Sequence, residues 1–405
     1  MARVRIGLAG LALLVATVGC DVGIPGTSSQ TIGSPSPVSA AKLQSGRWST
    51  LPLAPIQPRD GPSTVWTGRE LLIWGGSIYP SATPLGDGAA YDPATKRWRK
   101  LPNSPLSPRQ YHVTIWTGAE MIIWGGGGNT ASLNDGAAYN PTSNKWRVLP
   151  QGPLSARVGL VGAWTGSDVI LLGGLYGSGE HYTDGAALDP RSGRWRAIAP
   201  PIPPASHPLV WKAAAYIAGQ VLAWSEWATS RQIAPNAYSL DGGADLFSYS
   251  LASGAWRVIP SSESALPDIQ EVLVASQSVY VRGVTINCGN CPRPFVPEAT
   301  ASYDPVRMVW SRLPADPLAV DHLSSAWTGS ALFSYNTEVT VNNTPPGNAS
   351  AYDVAEGHWV GLPTAQYGCA SYPANWFWTG RAVILYCSRS LPASTAISGL
   401  EFSAP

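Results

Sequence analysis

One phrase recurs along the chain, and residues 109–150 carry its clearest copy: R-Q-Y-H-V-T-I-W-T-G-A-E-M-I-I-W-G-G, a variable stretch, then D-G-A-A-Y-N-P-T-S-N-K-W-R-V-L-P. Residues 59–102 and 157–198 repeat it closely. A fixed period of this length means one supersecondary unit stacked many times, because a single copy cannot bury its own apolar face. Aligned on the Trp near its end, the phrase falls at Trp48, Trp98, Trp146, Trp195, Trp256, Trp310 and Trp359. Aligned on the W-T-G turn, it falls at Trp66, Trp116, Trp164, Trp327 and Trp378, with degenerate copies at Tyr216 and Ala275. Both alignments count seven.

Turn residues divide each copy into four apolar runs of strand length. In the second copy these are His112 to Trp116, Met121 to Trp124, Gly136 to Tyr139 and Lys145 to Leu149. Composition agrees: 42 Gly and 37 Pro supply tight turns, 18 Trp and 16 Tyr suit strands, and only 13% of residues are charged. The fold expected is all-β, a seven-bladed β-propeller over residues 46–405. Residues 46–52 form a fourth strand with no first three before it, while residues 375–402 supply a last copy without its Trp strand. A ring must join its ends or leave sheet edges exposed, so the last blade is expected to be closed by the N-terminal strand at 46–52.

The motif resembles the kelch repeat. A double glycine closes the second strand, a Tyr and then a Trp follow, and an Arg opens the next copy. Gly75, Gly76, Tyr91, Trp98 and Arg109 match, as do Gly125, Gly126, Tyr139, Trp146 and Arg157. The likeness is sharp over roughly 59 to 200, and later copies lose the double glycine. The glycines are expected to let backbones approach near the ring axis, and the Trp to cover the seam between blades.

The first twenty residues read as an export signal: Arg3 and Arg5, an apolar run from Ile6 to Val18, then Gly19-Cys20. T-V-G-C resembles a bacterial lipobox, which implies lipidation at Cys20 and a chain held at the outer side of the cell membrane through that anchor; simple secretion is the alternative. Residues 21–45, rich in Ser, Thr, Pro and Gly, are expected to be a flexible tether. Loss of the leader with Arg3 and Arg5 takes the net charge from +1 to −1, so no basic block remains for nucleic acid. In an exported chain the four later cysteines are expected as disulfides, Cys369 with Cys387 across the last blade and Cys288 with Cys291 within C-G-N-C.

In an up-and-down blade, the loop entering the first strand and the loop from second to third strand emerge on one face. Here those loops vary in length and sequence, whereas the opposite turns are short and repetitive. Ligand-binding candidates on the variable face are Arg109, Tyr111, His112 and Arg157 from entering loops, and Tyr176, Glu180, His181, Glu226 and Trp227 from the second set. The repeated Arg59, Arg109 and Arg157 also fit hydrogen-bond donors between blades. His112, His207 and His322 recur at comparable positions without metal-site spacing, and neither a metal nor a cofactor is implied. The residues where copies disagree are the better candidates, since the blade does not require them.

No nucleophile elbow, Walker loop or H-E-x-x-H is present. The resemblance implies a monomeric binding scaffold for a protein, peptide or glycan. Copper radical oxidases of related fold need a Tyr joined to a Cys, and the first four copies here have no Cys after Cys20. Sialic-acid epimerases of similar repeat suggest a carbohydrate-active alternative, epimerase or lyase, with Arg109, Arg157 and Glu180 as the acid, base and carboxylate-holding groups.

Overall fold

The computed structural model describes residues 37–404 apart from 79–80, 177–179, 202–208, 235–236, 261–267, 285–298, 319–322, 337–346, 367, 371–375, 388 and 392–397; only the backbone is described at 227–234, 237–243, 268, 270, 284, 299, 323, 368–370 and 389–391. Seven antiparallel four-stranded sheets follow one another along the chain. Blade 1 comprises Ser63–Trp66, Leu71–Trp74, Gly88–Asp92 and Arg97–Lys100. Blade 2 comprises Val113–Trp116, Met121–Trp124, Gly136–Asn140 and Lys145–Val148, within a residue of the runs expected from sequence. Blade 3 follows with Val161–Trp164, Val169–Leu172, Gly185–Asp189 and Arg194–Ile198.

Blade 4 is built from Val210–Ile217, Gln220–Ala234, Ala237–Ser250 and Trp256–Ile259, and blade 5 from Asp268–Val274, Val279–Val284, Ala299–Asp304 and Val309–Arg312. Leu323–Trp327, Ala331–Asn336, Ala349–Asp353 and His358–Gly361 make blade 6. Blade 7 joins Trp376–Trp378, Ala382–Tyr386 and Gly399–Ser403 to Arg47–Thr50, whose Trp48 pairs with Phe402. The ring is therefore closed by the N-terminal strand, as the two half-copies in the sequence require.

Each seam between blades is an apolar core. Between blades 2 and 3, for example, Ile115, Ile122, Trp124, Leu149 and Leu160 pack against Trp164, Leu171 and Leu188. Burying one such aromatic contributes a few kcal/mol. The fourth-strand Trp also latches the seam by a hydrogen bond. Its indole Nε1–H donates to a carbonyl at the end of the preceding blade: Trp98 to Pro52 at 2.8 Å, Trp146 to Pro102 at 3.0 Å, Trp195 to Pro150 at 2.9 Å, Trp256 to Ala199 at 2.8 Å, Trp359 to Pro314 at 2.8 Å and Trp48 to Pro363 at 2.6 Å. Trp310 is the exception, its Nε1 buried and without a partner.

The end of the expected tether is not free. Ala40–Leu43 forms one helical turn, α1, whose Ala40 and Leu43 are fully buried against Phe333, Tyr335 and Trp376. Thr328 of blade 6 donates its hydroxyl to the Val38 carbonyl at 3.1 Å. Apolar side chains at Val38, Ala40 and Leu43 fill the groove beside blade 6, so the docked body starts at Val38 rather than at residue 46. No helix among the described residues is long and apolar enough to cross a membrane. Cys20, Cys288 and Cys291 lie outside the described residues, with His207 and His322.

The double glycines correct one expectation. Gly75 and Gly76 adopt φ of +68° and +87°, Gly125 and Gly126 +67° and +94°, conformations that L side chains avoid. A Cβ on Gly76 would stand 2.6 Å from the Asp60 carbonyl oxygen. The close approach is to the loop entering the first strand, not to the axis.

Candidate functional site

That close approach builds the upper face of blades 1 to 3. Past the double glycine, the chain pairs with the loop entering its own blade: Asp60 with Ser77, Gln110 with Gly127, and Val158 with Leu175. It then folds back on itself, through Ser77–Ile78 with Thr83–Pro84 in blade 1, Gly127 with Ser132 in blade 2, and Leu175 with His181 in blade 3. Each of these blades thus carries a small raised hairpin with the entering loop as a third rung. Blade 7 repeats the entering-loop pairing, with Gly368–Ala370 against Arg389–Leu391.

The repeated arginines anchor these rungs from beneath. Arg109 is fully buried. Its guanidinium donates to the Gly125 carbonyl at 3.0 Å and to both carboxylate oxygens of Asp135, Oδ1 at 2.9 Å and Oδ2 at 3.1 Å, while Nε–H donates to the Ser107 carbonyl. Arg59 with Asp87 and Arg157 with Asp184 repeat the arrangement. The backbone of the same residue makes the inter-blade link: the Gly76 N–H donates to the Arg109 carbonyl, and the Arg109 N–H to Leu85. The side chain is therefore a clamp within its blade, and only the backbone joins two blades. As ligand groups Arg109 and Arg157 are corrected, because their donors are consumed by buried backbone and by Asp135 and Asp184. The sugar-enzyme alternative loses both of its arginines by the same geometry.

His112 is also removed from the ligand set. Its Nε2 shares a short hydrogen bond with the Ser63 hydroxyl of blade 1, its Nδ1 is buried without a partner, and the Trp74 ring stands edge-on at 5.3 Å. Burial, with the Arg109 charge second, pushes its pKa down to about 3, so the imidazole is a neutral seam residue. Glu226 is engaged too: one oxygen pairs with Lys212 at 2.8 Å and the other accepts the Ile269 N–H, tying blade 4 to blade 5. Trp227 lies where the central strands of blade 4 run on past Val210, the last first-strand partner, as a two-stranded ribbon; its side chain is outside the described residues.

Four candidates remain on the surface. Tyr111 is 45% exposed and Tyr176 is 50% exposed. Glu180 and His181 are exposed on the blade 3 hairpin, where the Glu180 carbonyl accepts the Tyr176 N–H at 2.9 Å. Partial burial, then Lys212, holds His181 below its ordinary value although the residue remains exposed. Beside them the Arg157 guanidinium lies 3.8 Å from the centre of the Tyr182 ring, and Tyr176 stands perpendicular to Tyr182 at 6.5 Å. Sequence reasoning missed Tyr182 and the three clamp aspartates. The aspartates had a signal: Asp87, Asp135 and Asp184 stand in D-G-A-A in step with the arginines.

Among the described residues no three His, Cys, Asp or Glu side chains gather closely enough to hold a metal. Blades joined by glycine–arginine rungs and Trp latches define a kelch-type β-propeller. The family model for the KLHDC2/KLHL20/DRC7 kelch-repeats domain matches residues 22–225, just over half of the chain, and the chain belongs to this kelch-repeat family. No curated protein matches it.

Proposed function

We propose that the protein is an interaction scaffold that captures a protein or peptide on the upper face of blades 1 to 3. Kelch propellers generally bind proteins. The observation that carries the reading is the pairing of exposed Tyr111 and Tyr176 with raised hairpins that are braced from below by buried clamps. Tyrosines offer large contact area at small entropic cost, and a rigid base limits the ordering cost of binding. A test is selection of phage-displayed dodecapeptides on the full chain, with two mapping variants: Tyr176→Asp on the upper face, and Arg99→Ala on the lower face, where Arg99 pairs with Glu70 beside the W-T-G turn. Binders lost on Tyr176→Asp and kept on Arg99→Ala support the reading. Binders that ignore the upper face overturn it.

The chain acts, in this reading, outside the cytoplasm as a monomer, lipidated at Cys20, with glycans as the other ligand class for the same face. Intact-mass analysis of the protein from a membrane fraction reads the lipid directly, and an unmodified Cys20 rejects the anchor. Disulfides suit that address. Cys387 is buried and disulfide-bonded, and the backbone of Cys369 pairs with Ser390, three residues further on. Cys369 is the proposed partner, and Cys288 with Cys291 the second pair. Non-reducing peptide mapping decides both, with free Cys369 the result that rejects the first.

A further inference from the structure

Three residues occupy one position in the loops entering blades 1, 2 and 3: Gly61, Tyr111 and Gly159. Their φ values are +57°, +55° and +65°. The rung geometry demands a left-handed residue there, glycine meets the demand in two blades, and blade 2 uses a tyrosine instead. A bulky residue in this conformation is strained. The ring is half-exposed, with 45% of the residue's surface open to solvent. Strain kept for an exposed aromatic points to a partner outside the molecule.

The neighbourhood specifies the partner's chemistry. The Tyr111 carbonyl accepts the Gly159 N–H at 2.9 Å, and the adjoining Val158 pairs with Leu175 next to Tyr176, so one backbone strip carries both tyrosines across blades 2 and 3. The loops of the upper face in blades 1 to 3 carry Asp60, Asp87, Asp135, Glu180 and Asp184 and no lysine. Their only arginines are the buried clamps, and the cation that reaches His181 from outside them, Lys212 of blade 4, is paired with Glu226 at 2.8 Å. The side chains of Asp135 and Asp184 stay 52% and 46% exposed while held by Arg109 and Arg157. Exposed charge beside the tyrosines is therefore negative. Arg157 over Tyr182 shows that cation-on-tyrosine packing fits this hairpin.

We infer that Tyr111 and Tyr176 form the centre of a docking surface for an extended peptide segment bearing Lys or Arg, whose cations lie over the rings and face the carboxylates of Asp135 and Glu180. The inference rests on the upper face being the binding face. Long-range attraction of such a segment weakens with salt.

Tyr111→Gly installs the residue of the sister blades, and Tyr111→Asn keeps a side chain that tolerates the conformation. Sequencing of the selected dodecapeptides and titration of the tightest one against the full chain and both variants tests the inference. Expected are enrichment in Lys and Arg, affinity at least tenfold weaker for both variants and for the parent in 0.5 M salt relative to about 0.05 M, and a thermal midpoint for Tyr111→Gly equal to or above the parent's. Upper-face peptides without cation enrichment, or variants that bind as tightly as the parent, overturn this inference and leave the face assignment standing. Binders indifferent to substitution at both Tyr111 and Tyr176 overturn both.

Discussion

Blades 1 to 3 and the seam between blades 5 and 6 use the same ions in opposite ways. In the first three blades an arginine from the entering loop reaches back to an aspartate whose other side faces water. At the later seam the aspartate, Asp316, belongs to the entering loop, and the arginine, Arg282, comes from the second strand of blade 5. Both are 2% exposed or less in their side chains, 3.5 Å apart. Two hydroxyls and a backbone N–H complete the set: Arg282 donates to the Ser334 hydroxyl at 2.8 Å, the Ser350 hydroxyl donates to Asp316 at 2.8 Å, and Glu271 accepts the Ser325 N–H. Burial pushes the Glu271 carboxyl up, with Arg282 pulling it the other way. The crevice lined by Glu271, Arg282, Thr300 and Ser325 has no room for a water molecule. Its apolar partner, around Tyr280, Leu313, Leu332 and Tyr352, is the smallest of the seam clusters among the described residues. The lesson is that one ion pair serves as a rung brace when its carboxylate keeps its water, and as a dry filler where apolar side chains run short.

That comparison can be broken by substitution. Arg109→Ala leaves the Gly125 carbonyl and a cavity behind, and is expected to lower unfolding stability by about 3 kcal/mol or more in urea titration. Replacing the dry set together, Glu271→Gln with Arg282→Met and Asp316→Leu, is expected to change it by less than about 1 kcal/mol, because the desolvation cost disappears with the ions. A large loss in the second variant would place real cohesion in the later seam.

The pH response isolates the first seam. His112 has its folded pKa lowered from an ordinary 6.5 to about 3, so between those values the unfolded chain takes up a proton that the folded one refuses. Stability therefore falls as pH drops from about 6.5 towards 3, by about 1.4 kcal/mol per pH unit at most. Above 6.5 the residue contributes no slope. Subtracting the profile of His112→Phe from that of the parent should expose this one-proton component, and parallel profiles would refute it.

The smallest effect concerns the latches. Trp146→Phe removes the bond to Pro102, whereas Trp310→Phe removes an indole that has no partner. The first is expected to destabilise by about 1 kcal/mol more than the second, read as the difference in denaturant midpoint. Equal losses would mean that the latch is packing alone.

The architecture was legible because its signals are local. Strand runs, the Thr of W-T-G turning back on the residue three later, and the seven Trp positions all arise from residues close in sequence, and the half-copies at the two ends dictated the closure. Thr67 and Thr117, for instance, accept from the N–H of Glu70 and Glu120 as that turn demands. The site was legible only in part. Tyr111 and Tyr176 stood out as departures from the repeat, but Arg109 read both as a ligand group and as a hydrogen-bond donor between blades, since its spacing cannot say which way a guanidinium points.

What the sequence by itself determined is the blade: four strands, seven times, with glycine, arginine and Trp at set places, because periodic burial and turn chemistry act over a few residues. Only the tertiary structure decided which of those groups are spent. The partners of Arg109, His112 and Glu226 lie 26, 49 and 43 residues away, at Asp135, Ser63 and Ile269. Whether a polar side chain meets a ligand or the protein's own backbone depends on which distant segment the ring brings beside it. The left-handed φ of Tyr111 likewise belongs to an entering loop whose Gln110 pairs with Gly127 and whose Tyr111 carbonyl accepts the Gly159 N–H of blade 3, contacts that exist only in the folded ring.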